Sequence, residues 1–289
     1  MKTLIKKILL IVRTTFNLML WSLRQALNED FKNYIPNKTR SKPIIILGNG
    51  PSLIGLIENE NFNKIRENNH FCVVNFSILS PFFQQLKPEY ITIADPLFFQ
   101  RPIKDENVKQ FIQELEKINW NIYLIVPFRF YKNLKEELIN LKYVTIIPIH
   151  TNILNKSISN NNIRNLIYKK GLSCPRIQNV IVASIYSMIN FGYKQIYLYG
   201  VEHSWTSLLC VNKQNQVCAK DSHFYDDGDV ELKPYLKCSG EEYKMHELLR
   251  DFAYMFESYH ELQSYTEYLK NVTIINKSPN SFIDAFIKE

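Results

Sequence analysis

Short apolar runs alternate with helical patterns along most of the chain. Six runs of four to six residues are continuously apolar or nearly so, which is typical of strands buried in a parallel sheet. They are Ile44–Gly48, Cys72–Asn75, Tyr90–Asp95, Ile122–Pro127, Val144–Pro148 and Ile196–Gly200. Between them, the spacing predicts helices near 53–67, 105–118, 130–140 and 176–191. This alternation predicts an α/β protein with a Rossmann-like, doubly wound, mostly parallel sheet.

The alternation of strand and helix patterns is interrupted at about 201–240, a stretch that is polar and rich in charged and turn-forming residues. We expect a hairpin and loop insertion at a strand end, where such segments often act as lids. Cys210 and Cys218 flank a predicted turn at Asn212–Gln216 and are placed to face each other as reduced thiols. A long helix from about 241 to 269, a strand Val272–Ile275 and a last helix near Phe282 complete the prediction.

The N-terminal segment, residues 1–32, predicts an amphipathic helix. Its longest clean apolar run is Ile8 to Val12, where Arg13 ends it, so the apolar run is too short for a membrane crossing or an export signal. A polar stretch near 33–42 predicts a linker to one large domain over 43–289. The alternative is an ordinary helix packed against that domain.

The net charge of +7 is concentrated in this segment. Five of the 35 basic residues lie in residues 1–28, which hold no acid, and the other 30 nearly balance the 28 acidic residues. That distribution favours an anionic membrane surface over nucleic acid as the partner. We expect a cytoplasmic protein bound peripherally to the inner face of a bacterial cytoplasmic membrane.

Composition excludes other classes of protein. A hydrophobic content of 46% with 22% charged residues is typical of a globular chain and not of a disordered one. Five cysteines without a Cys-x-x-Cys pair predict neither a disulfide framework nor a zinc site.

The first predicted strand ends in the sequence Gly48-Asn49-Gly50-Pro51-Ser52-Leu53. Two glycines permit a tight turn and close backbone approach, and the helix start that follows can hold an anion. Ligands of open α/β sheets bind at this edge, so the turn predicts a nucleotide-phosphate site. The motif is neither a full Gly-x-Gly-x-x-Gly nor a P-loop, and a simple turn is the alternative.

Other polar residues follow strands at the same predicted edge. Asn75 and Asp95 end two of them, with helix capping as the alternative role for each. Glu202 follows the strand that ends at Gly200 and is suited to ribose hydroxyls, while His203 and Trp205 are suited to a base or a sugar.

An acidic loop follows within the insertion. His223 lies beside carboxylates there, which suits a general base because its pKa is near neutrality. Asp227 and Asp229 are spaced to hold a divalent cation, although such a loop is more often simply solvated. A surface histidine is the corresponding alternative for His223.

Taken in order, these pieces resemble the bacterial sialyltransferases of glycosyltransferase family 42. The matching segments, in chain order, are Gly48–Leu53, a strand ending in Asn75, Arg176-Ile177, Phe191–Glu202, Asp221–Phe224 and Ser278–Ser281. The resemblance covers nearly all of 43–289. It implies a variant GT-A-like fold and inverting transfer of a nonulosonic acid from its CMP-activated form, without a required metal or other cofactor.

The resemblance also implies site residues. His223 would be the catalytic base, and Arg176 matches a functionally important arginine. The residues implied to lie at the nucleotide are Gly48, Asn49, Gly50, Ser52, Asn75, Asp95, Asn179, Gly200, Glu202, Ser204, Ser278 and Asn280. At three of these positions the residue type departs from the family: Asp95 replaces an asparagine, Asn179 lies where the family has Ser-Gly, and Ser204 lies near a tyrosine position.

These inferences predict a membrane-associated glycosyltransferase that uses a CMP-activated sialic acid-like or Kdo-like donor. The acceptor would be a lipid-linked or other surface glycan such as lipooligosaccharide or capsule. Two alternatives stay open. One is a Mg²⁺-dependent nucleotide enzyme resembling pterin diphosphokinases, with Asp95 and Asp227 or Asp229 as ligands. The other is a non-catalytic glycan-binding relative. A homo-oligomer is compatible with each of them.

Overall fold

The computed structural model describes residues 2–36, 40–154, 161–219, 232–237 and 239–289. These ranges hold an eight-stranded sheet, in which every pairing is parallel, and a small antiparallel sheet. The strands are β1 (Ile44–Leu47), β2 (His70–Val74), β3 (Tyr90–Thr92), β4 (Ile122–Pro127), β5 (Val144–Ile149), β6 (Gln195–Tyr199), β7 (Leu209–Val211), β8 (Val217–Ala219), β9 (Lys233–Pro234), β10 (Thr273–Asn276) and β11 (Ile287–Lys288).

Helices cover both faces of the large sheet, so the predicted Rossmann-like α/β class is confirmed. The helices are α1 (Lys2–Asn28), α2 (Leu53–Ile57), α3 (Phe62–Asn68), α4 (Phe83–Leu86), α5 (Glu106–Glu116), α6 (Phe128–Glu137), α7 (Asn161–Lys169), α8 (Val180–Asn190) and α9 (Met245–Leu269). Strand β1 divides its side chains between the two faces: Ile44 and Ile46 join one hydrophobic cluster, while Ile45 and Leu47 join the other. This division follows from the two-residue period of a strand.

The strand order is β11-β10-β6-β1-β2-β3-β4-β5. The chain therefore builds outward from β1 to β5, then returns to place β6 on the other side of β1. Open α/β sheets bind ligands at the carboxyl ends of the strands where the order reverses in this way. In this protein that point lies between β1 and β6.

Two predicted helices differ from those observed, and one observed helix of nine residues was not predicted. The segment predicted as one helix at 53–67 forms two, α2 and α3, because the amide of Asn61 binds the Asn59 side chain in a local turn between them. The helix predicted from 176 begins only at Val180, where the side chain of Asn179 caps it. Helix α7 has no counterpart in the sequence prediction.

The helix predicted near Phe282 is absent, and the chain there is irregular before it ends in β11. Two serine side chains hold this segment to the loop after β6. The hydroxyl of Ser278 accepts from the amide of Val201, and Ser281 donates to the carbonyl of Val201. Ser281 also accepts from the amide of Ile283, two residues on, and local bonds of this kind compete with helix formation.

Helix α1 packs on the large domain through its second half. Trp21 is buried in the main hydrophobic cluster together with Ile35, which comes from the stretch predicted as a linker. The described part of that stretch is thus partly packed against the domain: Tyr34, Pro36 and Arg40 are half-buried, whereas Asn33, Ser41 and Lys42 are exposed. Among the helices of the described ranges, none has the length and apolarity that a membrane crossing requires.

The predicted insertion begins with a hairpin, as expected. Strands β7 and β8 pair around a turn in which the Asn212 side chain accepts from the amides of Gln214 and Gln216. Cys210 and Cys218 are directly opposite each other in this ladder, and both are free thiols. Strand β9 completes the small sheet. Residues 220–231, with His223 and the acidic loop, lie outside the described ranges.

Candidate functional site

A cavity of about 170 Å³ opens at the carboxyl ends of β1, β2 and β6, at the point where the strand order reverses. Eight of the sequence-predicted site residues line it together: Gly48, Asn49, Gly50, Asn75, Asn179, Gly200, Glu202 and Ser204. Pro51, Val74, Val180, Ile181, His203, Trp205 and Leu208 complete the lining. The fold therefore brings separate segments of the chain to one concave surface.

Backbone contact between the turns after β1 and β6 shapes the floor of the cavity. The amide of Gly50 donates to the carbonyl of Gly200 (2.9 Å), so the two turns lie directly against each other. A Cβ at position 50 would fall 1.6 Å from Glu202 Oε2, and one at position 48 would fall 2.2 Å from the carbonyl oxygen of Gly200. Glycine is thus required here by close approach, as the sequence motif predicted.

Glu202 is buried at 9% exposure against this floor. Its Oε1 accepts from the amide of Ser52 (2.9 Å). Its Oε2 is also buried and has no hydrogen-bond partner among the described residues. A buried carboxylate oxygen without a partner is costly in an empty site. A ligand hydroxyl would supply the missing donor.

The anion site predicted after the glycine turn does not have the Ser52 amide available for a ligand. Sequence reasoning assigned an anion to the helix start after that turn, but helix α2 has only five residues and Glu202 already occupies the Ser52 amide. Ser52 itself does not line the cavity, and its buried hydroxyl has no partner among the described residues.

The eleven-residue helix α8 begins at the cavity instead. Asn179 caps it by accepting from the amide of Ile181 (2.8 Å), and Val180 and Ile181 both line the cavity. The amino end of a helix carries partial positive charge, which stabilises a nearby anion. Sequence reasoning named Asn179 but began the helix too early to recognise this arrangement.

Asn75 supplies a second acceptor atom without a partner. Its Oδ1 is buried and has no hydrogen-bond donor among the described residues. Asn49, on the neighbouring turn, is held by the Ser77 hydroxyl at 2.8 Å from its Oδ1. The cavity therefore holds the side chain of Asn49, which is fixed by Ser77, and that of Asn75, whose oxygen can accept a hydrogen bond from a ligand.

Left-handed backbone conformations cluster at the cavity. Asn75 has φ 48°, His203 has φ 52° and Gly200 has φ 67°. Such conformations are unfavourable for residues other than glycine, although asparagine and histidine adopt them more readily than most. Residues held this way concentrate at binding and catalytic sites, where the surrounding structure stabilises them.

One wall of the cavity is aromatic. His203 stacks on Trp205 with ring centroids 4.5 Å apart, and its Nε2 shares a hydrogen bond with the hydroxyl of Tyr259 (2.6 Å). Burial lowers the pKa of His203 to about 3, so the imidazole is neutral near pH 7. The stack offers a flat, uncharged surface to a base or a sugar ring.

Tyr259 was missed by sequence reasoning. It lies on α9, 56 residues after His203, and no local motif connects the two positions. The regular apolar spacing of α9 marks Tyr259 only as a core residue, a role it also has.

Basic side chains do not line this cavity in the part of the chain that the structure describes. A bound phosphate would there meet the start of α8 and not a cluster of lysines or arginines. Glu202 is the one acidic residue in the described lining. Groups of His, Cys, Asp or Glu side chains arranged to hold a metal ion are also absent from the described ranges.

Besides Ser52, three residues predicted at the nucleotide do not line the cavity. Asp95 is exposed and caps a short 3-10 helix by accepting from the amide of Leu97 (2.8 Å), the capping alternative considered above. Ser278 is buried and fixes the loop that carries Glu202 through the amide of Val201. Asn280 is exposed. In the structure Asp95 and Ser278 thus act on the backbone around the site.

Of the two predicted catalytic residues, the structure describes only Arg176, which does not line this cavity. Arg176 lines a separate cavity between α1 and α9, where its guanidinium carbon lies 4.1 Å from the ring centroid of Tyr254. It is three residues from the helix cap Asn179. His223, predicted as the base, lies outside the described residues.

Comparison with known proteins adds little to this geometry. Neither a protein-family model nor a curated protein matches the sequence. Among solved structures, the MAf glycosyltransferase from Magnetospirillum magneticum AMB-1 is similar to this chain at a TM-score of 0.49 and 12% identity. The match covers 88% of this chain and 34% of that one, so this chain spans about a third of its length. The fold assignment rests on the strand order itself.

Proposed function

We propose that this protein is an inverting glycosyltransferase. Its donor would be a CMP-activated sialic acid-like or Kdo-like acid, and its acceptor a hydroxyl of a surface glycan such as lipooligosaccharide or capsule. The observation that carries the proposal is the cavity at the strand reversal, in which buried acceptor atoms of Glu202 and Asn75 have no donors among the described residues.

Those acceptor atoms suit the hydroxyls and exocyclic amine of a nucleoside. A carboxylate beside a glycine turn binds ribose hydroxyls in many nucleotide sites of open α/β sheets. The aromatic wall of His203 and Trp205 suits stacking on a ring. The start of α8 suits a phosphate, because its exposed amides and helix dipole favour negative charge.

The electrostatics favour a donor with a single phosphate. A cavity whose described lining holds one carboxylate and no basic residue is poorly suited to a triphosphate unless a metal ion is also bound. The Mg²⁺-dependent diphosphokinase alternative relied on Asp95, which caps a helix outside the cavity. The single-phosphate donor is therefore the better supported of the two.

In the proposed reaction the acceptor hydroxyl attacks the anomeric carbon of the donor sugar. The bond from that carbon to the phosphate oxygen of CMP breaks, and CMP leaves with the bonding electron pair. The acceptor hydroxyl loses its proton to a base, for which His223 is our candidate from the sequence. General-base assistance of this kind contributes roughly 10²–10⁴ in rate.

Ligand-dependent thermal unfolding of the full chain tests the proposal. The protein would be heated with CMP, CDP, UDP, GDP or ATP, each with and without Mg²⁺. A ligand at 100 times its Kd adds about 2.7 kcal/mol of stability. We expect stabilisation by CMP or CDP without metal. Stabilisation only by ATP or another nucleotide with Mg²⁺ would contradict the proposal and favour the metal-dependent alternative.

Substitution of the candidate base separates catalysis from binding. We expect His223→Ala to abolish transfer and leave CMP-dependent stabilisation nearly unchanged. If transfer survives the substitution, His223 is not the base. If the unaltered protein binds glycans but transfers no sugar from any CMP-activated acid, the non-catalytic glycan-binding alternative is correct.

A further inference from the structure

The surface of α1 that faces away from the domain is apolar, which is the reverse of what an ordinary surface helix presents. At about 100° per residue, the buried residues Asn17, Trp21 and Gln25 define the side that faces the domain. The opposite arc, about 100° wide, has the small residue Ala26 at one edge and otherwise holds large apolar side chains that are 51–74% exposed: Ile8, Leu9, Val12, Phe16, Met19, Leu23 and Leu27. We call these seven side chains the outer stripe.

Basic residues flank the outer stripe along one side. The same projection places Lys6, Arg13 and Arg24 within a few tens of degrees of one another, between the outer stripe and the side that faces the domain. All three are exposed, and α1 contains no acidic residue. Long basic side chains beside an apolar stripe are positioned to reach lipid phosphates while the stripe enters the acyl region.

The first turns of α1 extend beyond the domain. Every described side chain from Lys6 to Arg13 is exposed, so this part of the helix has no substantial packing with the rest of the protein. The last turns are fixed instead. The indole of Trp21 donates to the carbonyl of Asn152, and Asn152 Nδ2 donates to Gln25 Oε1.

A buried ion pair fixes the end of the helix. His150 Nδ1 lies 3.0 Å from Glu29 Oε2, and Thr151 donates to Glu29 Oε1 through both its amide and its hydroxyl. These contacts join α1 to the carboxyl end of β5. The outer stripe is therefore held in one orientation relative to the sheet and its cavity.

We propose that the outer stripe of α1 docks on the surface of an anionic lipid bilayer, with the helix lying in the interface. A second copy of the chain is the other occupant that an apolar stripe can take. It is less favoured because α1 holds no acidic residue to pair with the basic flank of a second copy, whereas an anionic surface complements that flank. This proposal does not depend on the proposed transferase activity.

Vesicle sedimentation with the full chain tests the proposal. We expect binding to vesicles of phosphatidylcholine with one quarter phosphatidylglycerol, and at least about tenfold weaker binding to phosphatidylcholine alone. The double variant Val12→Asn, Phe16→Asn should reduce binding to the anionic vesicles by about tenfold or more, because two large apolar side chains are lost from the stripe. Thr15→Asn, which lies off the stripe, is the matched control and should bind as the unaltered protein does.

Three results would overturn the proposal: no sedimentation with anionic vesicles, equal binding by the double variant, or equal binding to both lipid compositions. A fourth is a dimer in sedimentation velocity that the double variant converts to monomer while vesicle binding is absent, since that assigns the stripe to a second copy. Thermal stabilisation by nucleotide is measured on the same variants. It reports the cavity independently, so a failure of docking is distinguished from a failure of the proposed function.

Discussion

Two regions at the carboxyl edge of the sheet each bury a glutamate and a histidine, and they use them differently. After β5, Glu29 and His150 bind each other, and every carboxylate oxygen of Glu29 has a protein donor. At the strand reversal, Glu202 uses one oxygen for the Ser52 amide and leaves Oε2 without a partner among the described residues. The adjacent His203 binds Tyr259 and not the carboxylate.

The pKa values of the two histidines shift in opposite directions, as their partners lead one to expect. Burial alone would lower the pKa of His150, but hydrogen bonds to the Glu29 carboxylate and the Lys32 carbonyl outweigh it and raise that pKa. Burial lowers the pKa of His203 to about 3 without such compensation. A buried polar cluster whose partners all come from the protein serves structure, whereas one with an unpartnered atom facing a cavity points to a ligand.

The largest effect on stability is expected at the β5 cluster. Glu29→Ala should cost about 3–5 kcal/mol in the free energy of unfolding, because it leaves a buried histidine without its anion. Glu60→Ala is the control, since that carboxylate is exposed in the turn between α2 and α3, away from the cluster, and its loss should cost about 1 kcal/mol or less. Denaturant unfolding measures both. Equal costs would mean that Glu29 does not fix the end of α1.

The next largest effect is expected at the floor of the cavity. Gly50→Ala should cost about 1–3 kcal/mol, because its Cβ would displace the Glu202 carboxylate, and nucleotide-dependent stabilisation should disappear. Gly55→Ala, in α2 with open space around the added Cβ, should be neutral or stabilising by up to about 1 kcal/mol. Thermal unfolding with and without CMP compares the pair. The comparison of the two regions breaks down if Gly50→Ala retains CMP binding.

A more selective change sharpens the comparison. Glu202→Gln keeps an oxygen for the Ser52 amide, so stability should change by less than about 1 kcal/mol. Affinity for CMP should fall by about 10- to 100-fold, because a hydrogen bond to a charged acceptor is lost. Isothermal titration measures this affinity. Unchanged affinity would remove the unpartnered oxygen as a determinant of ligand binding.

The smallest expected effect is the pH dependence of stability. It reflects only the difference in proton binding between the folded and unfolded states. The raised pKa of His150 contributes stability below its ordinary value of 6.5, and this contribution is lost as pH rises through the folded-state pKa. Burial raises the pKa of Glu29, but hydrogen bonds from His150 and Thr151 outweigh it and lower that pKa. The contribution of Glu29 to stability is present above pH 4.5 and is lost as pH falls through its folded-state pKa.

The stability difference between the unaltered protein and His150→Gln should therefore be largest between about pH 4.5 and 6.5. His203 should act with the opposite sign: its lowered pKa removes stability as pH falls from 6.5 towards 3. Urea unfolding across pH 4–8 measures both contributions. A difference for His150→Gln that grows steadily above pH 7 would show that the pair is not ionised as described.

Local sequence patterns determined much of the architecture. The continuous apolar runs predicted six strands of the large sheet, because burial on both faces excludes polar residues. The glycine turn and the polar residues Asn75 and Glu202 were placed at one edge, because parallel strands share their carboxyl ends. The hairpin around Asn212 was recognisable from its turn-forming residues.

Only the tertiary structure decided which polar residues found partners. Glu29 pairs with a histidine 121 residues away, and His203 with a tyrosine 56 residues away, through packing that no local periodicity encodes. In the folded chain Asp95 caps a short helix, and Arg176 lines a second cavity. Glu202 Oε2 has no donor among the described residues. A sequence specifies backbone preference and burial over short distances, whereas a site depends on how distant segments meet.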